Sequence, residues 1–278
     1  MTDPAPLDPA RIARTTLDPY PHHVRITAGG ETLAETTNAL LLRETFAPEI
    51  CIPAADVRED LLRPGGTGEY CPYKRGTPAL FGFGDTPAIA WRHDAAEAMP
   101  GLRGHYAFDF DKVTIEVDGT PVRGHVRDPK KTITVTPVEG RLTLMLGARI
   151  VVDTRRALLL EESELPARYY VPLEDVDPDC LAPSNRRTVC TYKGEATYWH
   201  LRAEGRDVEN AIWTYAEPWT DFAVEIGRIA GHVGFYTSTF DRATLDGDEI
   251  GLSEQEAAAD RAMIAKPTVD RVLREESA

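Results

Sequence analysis

The sequence lacks the features of a membrane or secreted protein. No run of about 18 apolar residues occurs, so no membrane-spanning helix is expected. The first twenty residues combine prolines with scattered charges and contain no apolar stretch of the secretory type. Only four cysteines are present, and their irregular spacing does not suit a disulfide framework. We therefore expect a cytoplasmic protein with reduced thiols and no membrane association.

Positive charge is also scarce. The 278 residues include 31 lysines and arginines against 45 acidic residues, which gives a formal net charge of -14. Binding to nucleic acid depends on neutralising phosphate groups, so an acidic chain is poorly suited to it. The one basic cluster, residues 123–131, lies in a predicted linker. We predict a globular protein that does not bind nucleic acid.

The motifs of several common active sites are missing. Zinc sites typically use Cys-x-x-Cys pairs or histidines at helical spacing, and the chain has neither. Residues 65–68, Gly-Gly-Thr-Gly, lack the lysine and hydroxyl of a phosphate-binding loop. No Gly-x-Ser-x-Gly sequence is present for a serine nucleophile. We therefore expect no metal and no cofactor.

What the sequence does contain is an internal repeat. Five motifs occur twice in the same order: Ala-Leu-Leu-Leu-x-Glu at 39–44 and 157–162, Pro-x-x-Asp-Val at 53–57 and 172–176, Cys-x-Tyr-Lys at 71–74 and 190–193, tryptophan at 91 and 213, and Gly-His-x-x-Phe at 104–108 and 231–235. The copies are 118 positions apart at the first motif and 127 at the last. This period exceeds the roughly 20–50 residues of solenoid repeats and matches a small domain. The chain is predicted to be a tandem duplication.

The repeat divides the chain into five segments. We predict an N-terminal arm over 1–21, a diverged first repeat over 22–120, a linker over 121–132, a second repeat over 133–250 and a helical tail over 251–278. The tail has no counterpart in the first repeat. It is expected to pack across the two units, to mediate self-association or to dock a protein partner.

Both repeats are predicted to be rich in antiparallel strands. Alternating patterns around Gly29 and Gly147 indicate a hairpin at the start of each repeat. The Ala-Leu-Leu-Leu runs are too short for free helices and indicate buried strands. A short helical segment capped by Asp56 is expected in the first repeat, and Pro178 is expected to shorten its counterpart. The fold class is mainly β.

The tail has a helical pattern instead. Ser253 and Glu256 have the spacing of a capping box ahead of an alanine-rich helix. Pro267 separates this helix from a second predicted helical stretch that reaches about Glu276.

The Cys-x-Tyr-Lys motif supplies the first candidate site residues. A lysine close to Cys190 would favour its thiolate form and raise its nucleophilicity, and Lys193 is the candidate. Alternatively, the cysteine is a small buried hydrophobe. Lys193 is harder to explain by packing, because lysine is almost never fully buried.

The Gly-His motif supplies a candidate acid or base, His232. A cysteine–histidine pair drawn from two strands is the skeleton of thiol catalysis, so Cys190, Lys193 and His232 are the candidate catalytic residues. The same pattern also suits an imidazole that contacts a backbone carbonyl.

Aromatic residues of the second repeat supply candidate walls of a binding pocket. The candidate ligand-binding residues are Tyr192, Trp199, Trp213, Tyr215 and Tyr236, together with Glu162. Ordinary β-sheet cores are also aromatic, so packing is the alternative. The counterparts in the first repeat are Cys71, Tyr73, Lys74, Trp91 and His105. That repeat has lost the Tyr-x-x-Pro sequence, so the second is favoured as the working copy.

These motifs together resemble the domain-of-unknown-function family 427. The resemblance is carried by the stretches 156–162, 170–176, 190–199, 212–218 and 231–236, and more loosely by the first repeat. It implies a small β-tent, two antiparallel sheets meeting at an angle, similar to the zinc-binding methionine sulfoxide reductase and cereblon ligand-binding domains. The zinc cysteines of those relatives are absent here. The family has been labelled nucleotidyltransferase, without motifs here that support nucleotide transfer.

Three functions follow as hypotheses. The first is binding of a small molecule in an aromatic pocket of the second repeat, with or without thiol or acid–base chemistry. The second is a non-catalytic binding or protein-interaction module, or a purely structural tandem whose acidic tail docks another protein. The third, which rests on the family label alone, is nucleotidyl transfer.

Overall fold

The chain forms two compact units, residues 1–128 and residues 129–278. The computed structural model describes residues 12, 15–44, 47–163, 165–251, 253–254, 256–258, 260 and 271–272. Over these residues the protein is mainly β, and all pairings between strands are antiparallel. The predicted fold class is confirmed.

The first unit contains two sheets. Its strands are β1 (Thr16–Tyr20), β2 (Val24–Ala28), β3 (Glu31–Thr36), β4 (Ala39–Arg43), β5 (Glu49–Pro53), β6 (Arg63–Thr67), β7 (Ala79–Phe83), β8 (Thr86–Arg92), β9 (His105–Phe108), β10 (Thr114–Val117) and β11 (Thr120–Pro121). Among the described residues, the larger sheet has the order β1-β4-β5-β9-β8-β7-β6 and the smaller one β11-β10-β2-β3.

The second unit repeats this arrangement. Its strands are β12 (Ile133–Pro137), β13 (Leu142–Leu146), β14 (Arg149–Thr154), β15 (Leu158–Glu162), β16 (Arg168–Pro172), β17 (Leu181–Cys190), β18 (Gly194–Ala203), β19 (Arg206–Tyr215), β20 (His232–Phe235), β21 (Arg242–Leu245), β22 (Asp248–Glu249) and β23 (Arg271–Val272). The larger sheet has the order β12-β15-β16-β20-β19-β18-β17-β23, and the smaller one β14-β13-β21-β22. Apart from β23, every strand has a counterpart in the first unit.

The two units share the register of their strands as well as the strand order. In the first unit, Val24 pairs with Thr36 between β2 and β3, and in the second Leu142 pairs with Thr154 between β13 and β14. Likewise Trp91 pairs with Ala107, and Trp213 with Gly234. The duplication can therefore be followed residue by residue, so differences between the copies can be compared at defined positions.

Each unit has a core between its two sheets and a second apolar layer on the other face of the larger sheet. In the second unit, Leu142, Leu144, Val233 and Phe235 belong to the core between the sheets. The outer layer of that unit, called here the aromatic layer, consists of Ile133, Val135, Leu160, Tyr170, Cys190, Tyr192, Ala196, Tyr198, Trp213, Tyr215, Ile226 and Ile229. Because successive residues of a strand face opposite sides, the larger sheet contributes to both layers.

Short 3₁₀ turns connect several strands, and two predictions about them are wrong. The turns are Ala54–Asp56, Glu59–Leu61, Pro100–Leu102, Leu173–Asp175, Pro178–Cys180, Val224–Ile229 and Thr237–Thr239. Asp56 does not cap a helix: it ends the first turn, and its carboxylate accepts a hydrogen bond from Thr36. Pro178 does not shorten the counterpart but begins a turn, where its missing N–H is not needed.

The tail follows the prediction in part. Residues 254, 256–258 and 260 are α-helical, and the hydroxyl of Ser253 accepts from the backbone N–H of Glu256 while the Glu256 carboxylate accepts from the backbone of Ser253. The predicted second helix is wrong at Arg271–Val272, which forms β23 and pairs with β17. Its other residues lie outside the described part of the chain. A backbone strand is favoured here because β17 would otherwise leave an unpaired edge.

Candidate functional site

The Cys-x-Tyr-Lys and Ala-Leu-Leu-Leu-x-Glu motifs meet in a buried ion pair. Lys193 lies in the turn between β17 and β18, and its Nζ is 2.5 Å from Oε2 of Glu162, the last residue of β15. The side chains are only 10% and 6% exposed. Lys131 approaches the other carboxylate oxygen at 3.2 Å and donates to the carbonyl oxygen of Ser163 at 2.6 Å. The carboxylate of Glu162 thus lies between two ammonium groups.

The first unit contains the same pair. Lys74 donates to Glu44, and both side chains are buried. The recurrence of the two motifs is therefore explained by one contact that both copies keep. Glu162 contacts Lys193, a role that its spacing in the sequence does not reveal.

Both members of the second-unit pair are charged. Burial works against the charge on Lys193, but Cys190, Glu162 and Tyr170 together hold its pKa well above the ordinary value. Burial also disfavours the Glu162 carboxylate, yet Lys193 and Lys131 lower its pKa overall. Lys193 is therefore a permanent cation near neutral pH. It can attract an anion or polarise a carbonyl group, but it has no free amine to act as a base.

Cys190 lies beside this cation. It ends β17, it is 6% exposed, and it interacts electrostatically with Lys193. Cys71 and Lys74 interact in the same way in the first unit, where Cys71 is half-buried. The structure thus brings together two of the three candidate catalytic residues.

The aromatic candidates divide between two faces of the sheet. Tyr192, Trp213 and Tyr215 belong to the aromatic layer, and Tyr236 packs on Trp213 with ring centroids 4.7 Å apart. Trp199 packs instead against the core between the sheets. Four of the five predicted wall residues therefore belong to or pack on the layer that contains Cys190 and Tyr170, the neighbours of Lys193, and Trp199 does not.

Further contacts order the aromatic layer. The indole N–H of Trp213 donates to the hydroxyl of Tyr170 at 2.9 Å. Phe222 meets Tyr192 edge-on at 4.8 Å. The backbone N–H of Trp219 donates to the carbonyl oxygen of Lys193 at 3.0 Å, so the segment before the 3₁₀ turn Val224–Ile229 is anchored to the lysine.

The two repeated histidines have a backbone contact in common. Nδ1 of His232 lies 3.0 Å from the carbonyl oxygen of Ala230, and Nδ1 of His105 lies 3.1 Å from that of Arg103. The preceding glycines, Gly104 and Gly231, have φ values of 71° and 72°, which side-chain-bearing residues rarely adopt. This turn accounts for the recurring Gly-His pair. Within the described part of the chain, the side-chain interactions of His232 are with Ala230 and Asp175, not with Cys190 or Lys193.

Three residues near the buried pairs escaped the sequence interpretation. Lys131 lies in the predicted linker, and Tyr170 lies in a stretch that carries the family resemblance without an assigned role. His93 in the first unit is buried and interacts electrostatically with Lys74 and Glu44. It follows Trp91 by two, as Tyr215 follows Trp213, so the aligned repeats could have placed it on the same face as the tryptophan.

His93 gives the first unit a pH-dependent stability. Burial, and then the charge of Lys74, lower its pKa from 6.5 to about 4. The unfolded chain therefore binds a proton at a higher pH than the folded chain. The stabilisation by neutral His93 is complete above the pKa of the unfolded chain and is lost as pH falls toward the pKa of the folded chain. Over that range the free energy of unfolding falls by up to about 1.4 kcal/mol per pH unit.

We expect His93→Gln to remove this slope. Urea unfolding of both proteins at several pH values between 7 and 4 measures it, since the glutamine does not titrate. His105→Gln, which changes a histidine outside this cluster, is the matched control. Parallel stability curves for wild type and His93→Gln would contradict the assignment.

No group of three or more histidine, cysteine, aspartate and glutamate side chains among the described residues is arranged to hold a metal ion. No helix within the described ranges has the length and apolarity needed to cross a bilayer.

Comparison with known proteins gives one family. Residues 16–119 and residues 134–246 each match the model of a family described as a domain of unknown function, DUF427. No curated protein matches the chain. The two matches fall one in each unit, account for most of the sequence and agree with the internal repeat. The chain therefore belongs to the DUF427 family and carries two copies of its domain in tandem.

Proposed function

We propose that the second unit binds a small molecule through Lys193 and the aromatic side chains around it. The observation that carries the proposal is the buried Lys193–Glu162 pair, whose lysine interacts electrostatically with Cys190 and Tyr170 of the aromatic layer. Replacing a buried ion pair by apolar residues is often neutral or stabilising, so keeping it in both copies favours a role beyond stability. The ligand would place an anionic or carbonyl group against the ammonium and an apolar body against Tyr192, Trp213 and Tyr236.

Thiol chemistry at Cys190 is the second candidate, because its electrostatic interaction with Lys193 favours a nucleophilic thiolate. Lys193 would then stabilise the thiolate. His232 would have no part in activating it, since its contacts are elsewhere.

Matched pairs of aromatic probes test the binding proposal. We expect benzoate and phenyl phosphate to raise the melting temperature of the wild type, and benzamide and phenol to have smaller effects. A ligand at a hundred times its Kd adds about 2.7 kcal/mol to the free energy of unfolding, so weak binding is measurable. Isothermal titration then gives the affinities.

The control variant is Lys193→Met/Glu162→Gln, which removes both charges of the pair and leaves Lys131 a hydrogen-bond acceptor. It should fold and should lose the preference for the anionic probes. Cys190→Ser should retain the affinity if the unit only binds, whereas loss of binding in this variant favours thiol chemistry. Failure of every anionic probe to stabilise the wild type, or equal stabilisation of the double variant, refutes the proposal.

A further inference from the structure

A cavity in the first unit lies where the second unit holds an arginine side chain. The cavity is a shallow depression that is open to solvent; it has a volume of about 270 Å³ and is lined by His23, Glu35, Thr36, Thr37, Asn38 and Asp56. Drug-sized ligands usually fill about 300–1,000 Å³, so this space suits one small polar group and its stem. The cavity lies apart from the buried Lys74–Glu44 pair, so the inference does not depend on the function proposed for the second unit.

The backbone and the carboxylate around the cavity are the same in both copies. Thr36 donates its hydroxyl to Asp56 at 2.6 Å and accepts from the backbone N–H of Asn38 at 2.9 Å. In the second unit, Thr154 donates to Asp175 at 2.5 Å and accepts from the backbone N–H of Arg156 at 2.9 Å. Asn38 and Arg156 are thus equivalent positions on equivalent turns.

In the second unit the carboxylate is occupied by a guanidinium. Nη2 of Arg156 lies 2.5 Å from one oxygen of Asp175, and its Nε donates to the other at 3.2 Å. This is the two-pronged geometry that makes arginine selective for carboxylates. The hydrogen bond from Arg156 is the largest factor that lowers the pKa of Asp175. The duplicate therefore shows which chemical group this carboxylate accepts.

The first unit lacks the donor and keeps one of its two acceptors, since Arg156 also pairs with Glu174 at 2.7 Å and the counterpart of Glu174 is Ala55. Asn38 replaces the arginine, and its shorter side chain leaves the cavity open. Thr36 donates to one of the two carboxylate oxygens of Asp56. A second acid, Glu35, faces the same cavity and is 2.8 Å from His23. Its counterpart Asp153 pairs with Arg141, so this neighbouring pair is also kept.

We propose that the cavity of the first unit binds the guanidinium group of a small molecule. The planar donor would form two parallel hydrogen bonds with Asp56, as Arg156 does with Asp175. The ligand class is a free arginine derivative or another small molecule with an exposed guanidinium. The rest of such a ligand lies toward solvent, because the rim residues Thr37 and Asn38 are exposed.

Titration of Nα-acetyl-arginine amide into ¹⁵N-labelled protein at low salt tests the proposal. We expect the amide signals of Thr36, Asn38 and Asp56 to shift, and we expect no shift with Nα-acetyl-citrulline amide, which is the neutral isostere. Nα-acetyl-lysine amide carries the same charge without the planar fork, and it should bind at least about tenfold more weakly. Equal binding of the arginine and citrulline compounds, or of the arginine and lysine compounds, overturns the assignment.

Two variants locate the site. Asn38→Arg rebuilds the arrangement of the second unit, so it should fold and should abolish binding. Arg156→Ala opens the equivalent cavity in the second unit, so it should raise the stoichiometry from one ligand to two. Undiminished binding by Asn38→Arg, or absence of binding by the wild type up to millimolar probe, contradicts the proposal. Neither variant touches Lys193 or Glu162, so the outcome is separate from that of the proposed function.

Discussion

Glu162→Gln is expected to lower the free energy of unfolding of the second unit by about 3–5 kcal/mol, the cost of leaving a buried charge without its partner. The effect should be large because this carboxylate serves two ammonium groups, those of Lys193 and Lys131. Lys193→Met should cost less, because Glu162 then keeps Lys131. Urea unfolding of the single variants measures both values.

Glu162→Gln alone leaves the ammonium groups of Lys193 and Lys131 without a carboxylate partner. The double variant Lys193→Met/Glu162→Gln removes one of these two charges, so it should be more stable than Glu162→Gln. Glu161→Gln is the matched control: the same change, one position earlier on β15, at an exposed side chain. It should alter the stability by less than about 0.5 kcal/mol. If Glu162→Gln is as mild as this control, the pair contributes no net electrostatic stabilisation.

Gly234→Ala should destabilise the aromatic layer by about 1–3 kcal/mol through overpacking. A methyl group at this position would lie 2.8 Å from Cε2 of Trp213 and 2.9 Å from Cζ of Tyr170, closer than carbon atoms can approach. Alanine normally stabilises a strand relative to glycine. A loss of stability would therefore show that the added methyl group clashes with its neighbours. Thermal or urea unfolding gives the magnitude.

The first unit shows how this crowding can be relieved. The counterpart of Gly234 is Ala107, and Cys51 stands on β5 at the position that Tyr170 occupies on β16. Gly234→Ala/Tyr170→Cys, which copies the first unit, should therefore be less destabilised than the sum of the two single variants. An additive result would show that Tyr170 does not limit the space at this position.

The sequence predicted the strands better than the short turns. The runs at Ala39 and Leu158 became buried strands because a run of apolar residues at these lengths suits a sheet covered on both faces. Asp56 does not act as a cap because its carboxylate accepts a hydrogen bond from the hydroxyl of Thr36, which lies twenty positions earlier in the chain. Local patterns contain no information about such a partner. The strand at Arg271 escaped prediction for the same reason, since it forms against the edge of β17.

The candidate site was predicted as a set of residues and not as an arrangement. The repeat identified Cys190, Lys193 and Glu162 as shared with the first copy, and the structure brings these three together. Alternation along β18 placed Tyr198 in the aromatic layer, which turned Trp199 to the opposite face. His232 lies on a strand of the same sheet, but its turn commits the imidazole to the carbonyl of Ala230.

The amino-acid sequence by itself determined the duplication, the mainly β class and the residue types that both copies keep, because repeats, periodicity and composition are properties of the linear chain. Only the tertiary structure decided that the glutamate of one motif neutralises the lysine of another, and that Arg156 pairs with Asp175 in one copy while Asp56 borders an open depression in the other. The physical reason is that a strand specifies which of its residues share a face. Which strands become neighbours is fixed by non-local pairing and by the volumes that remain between side chains.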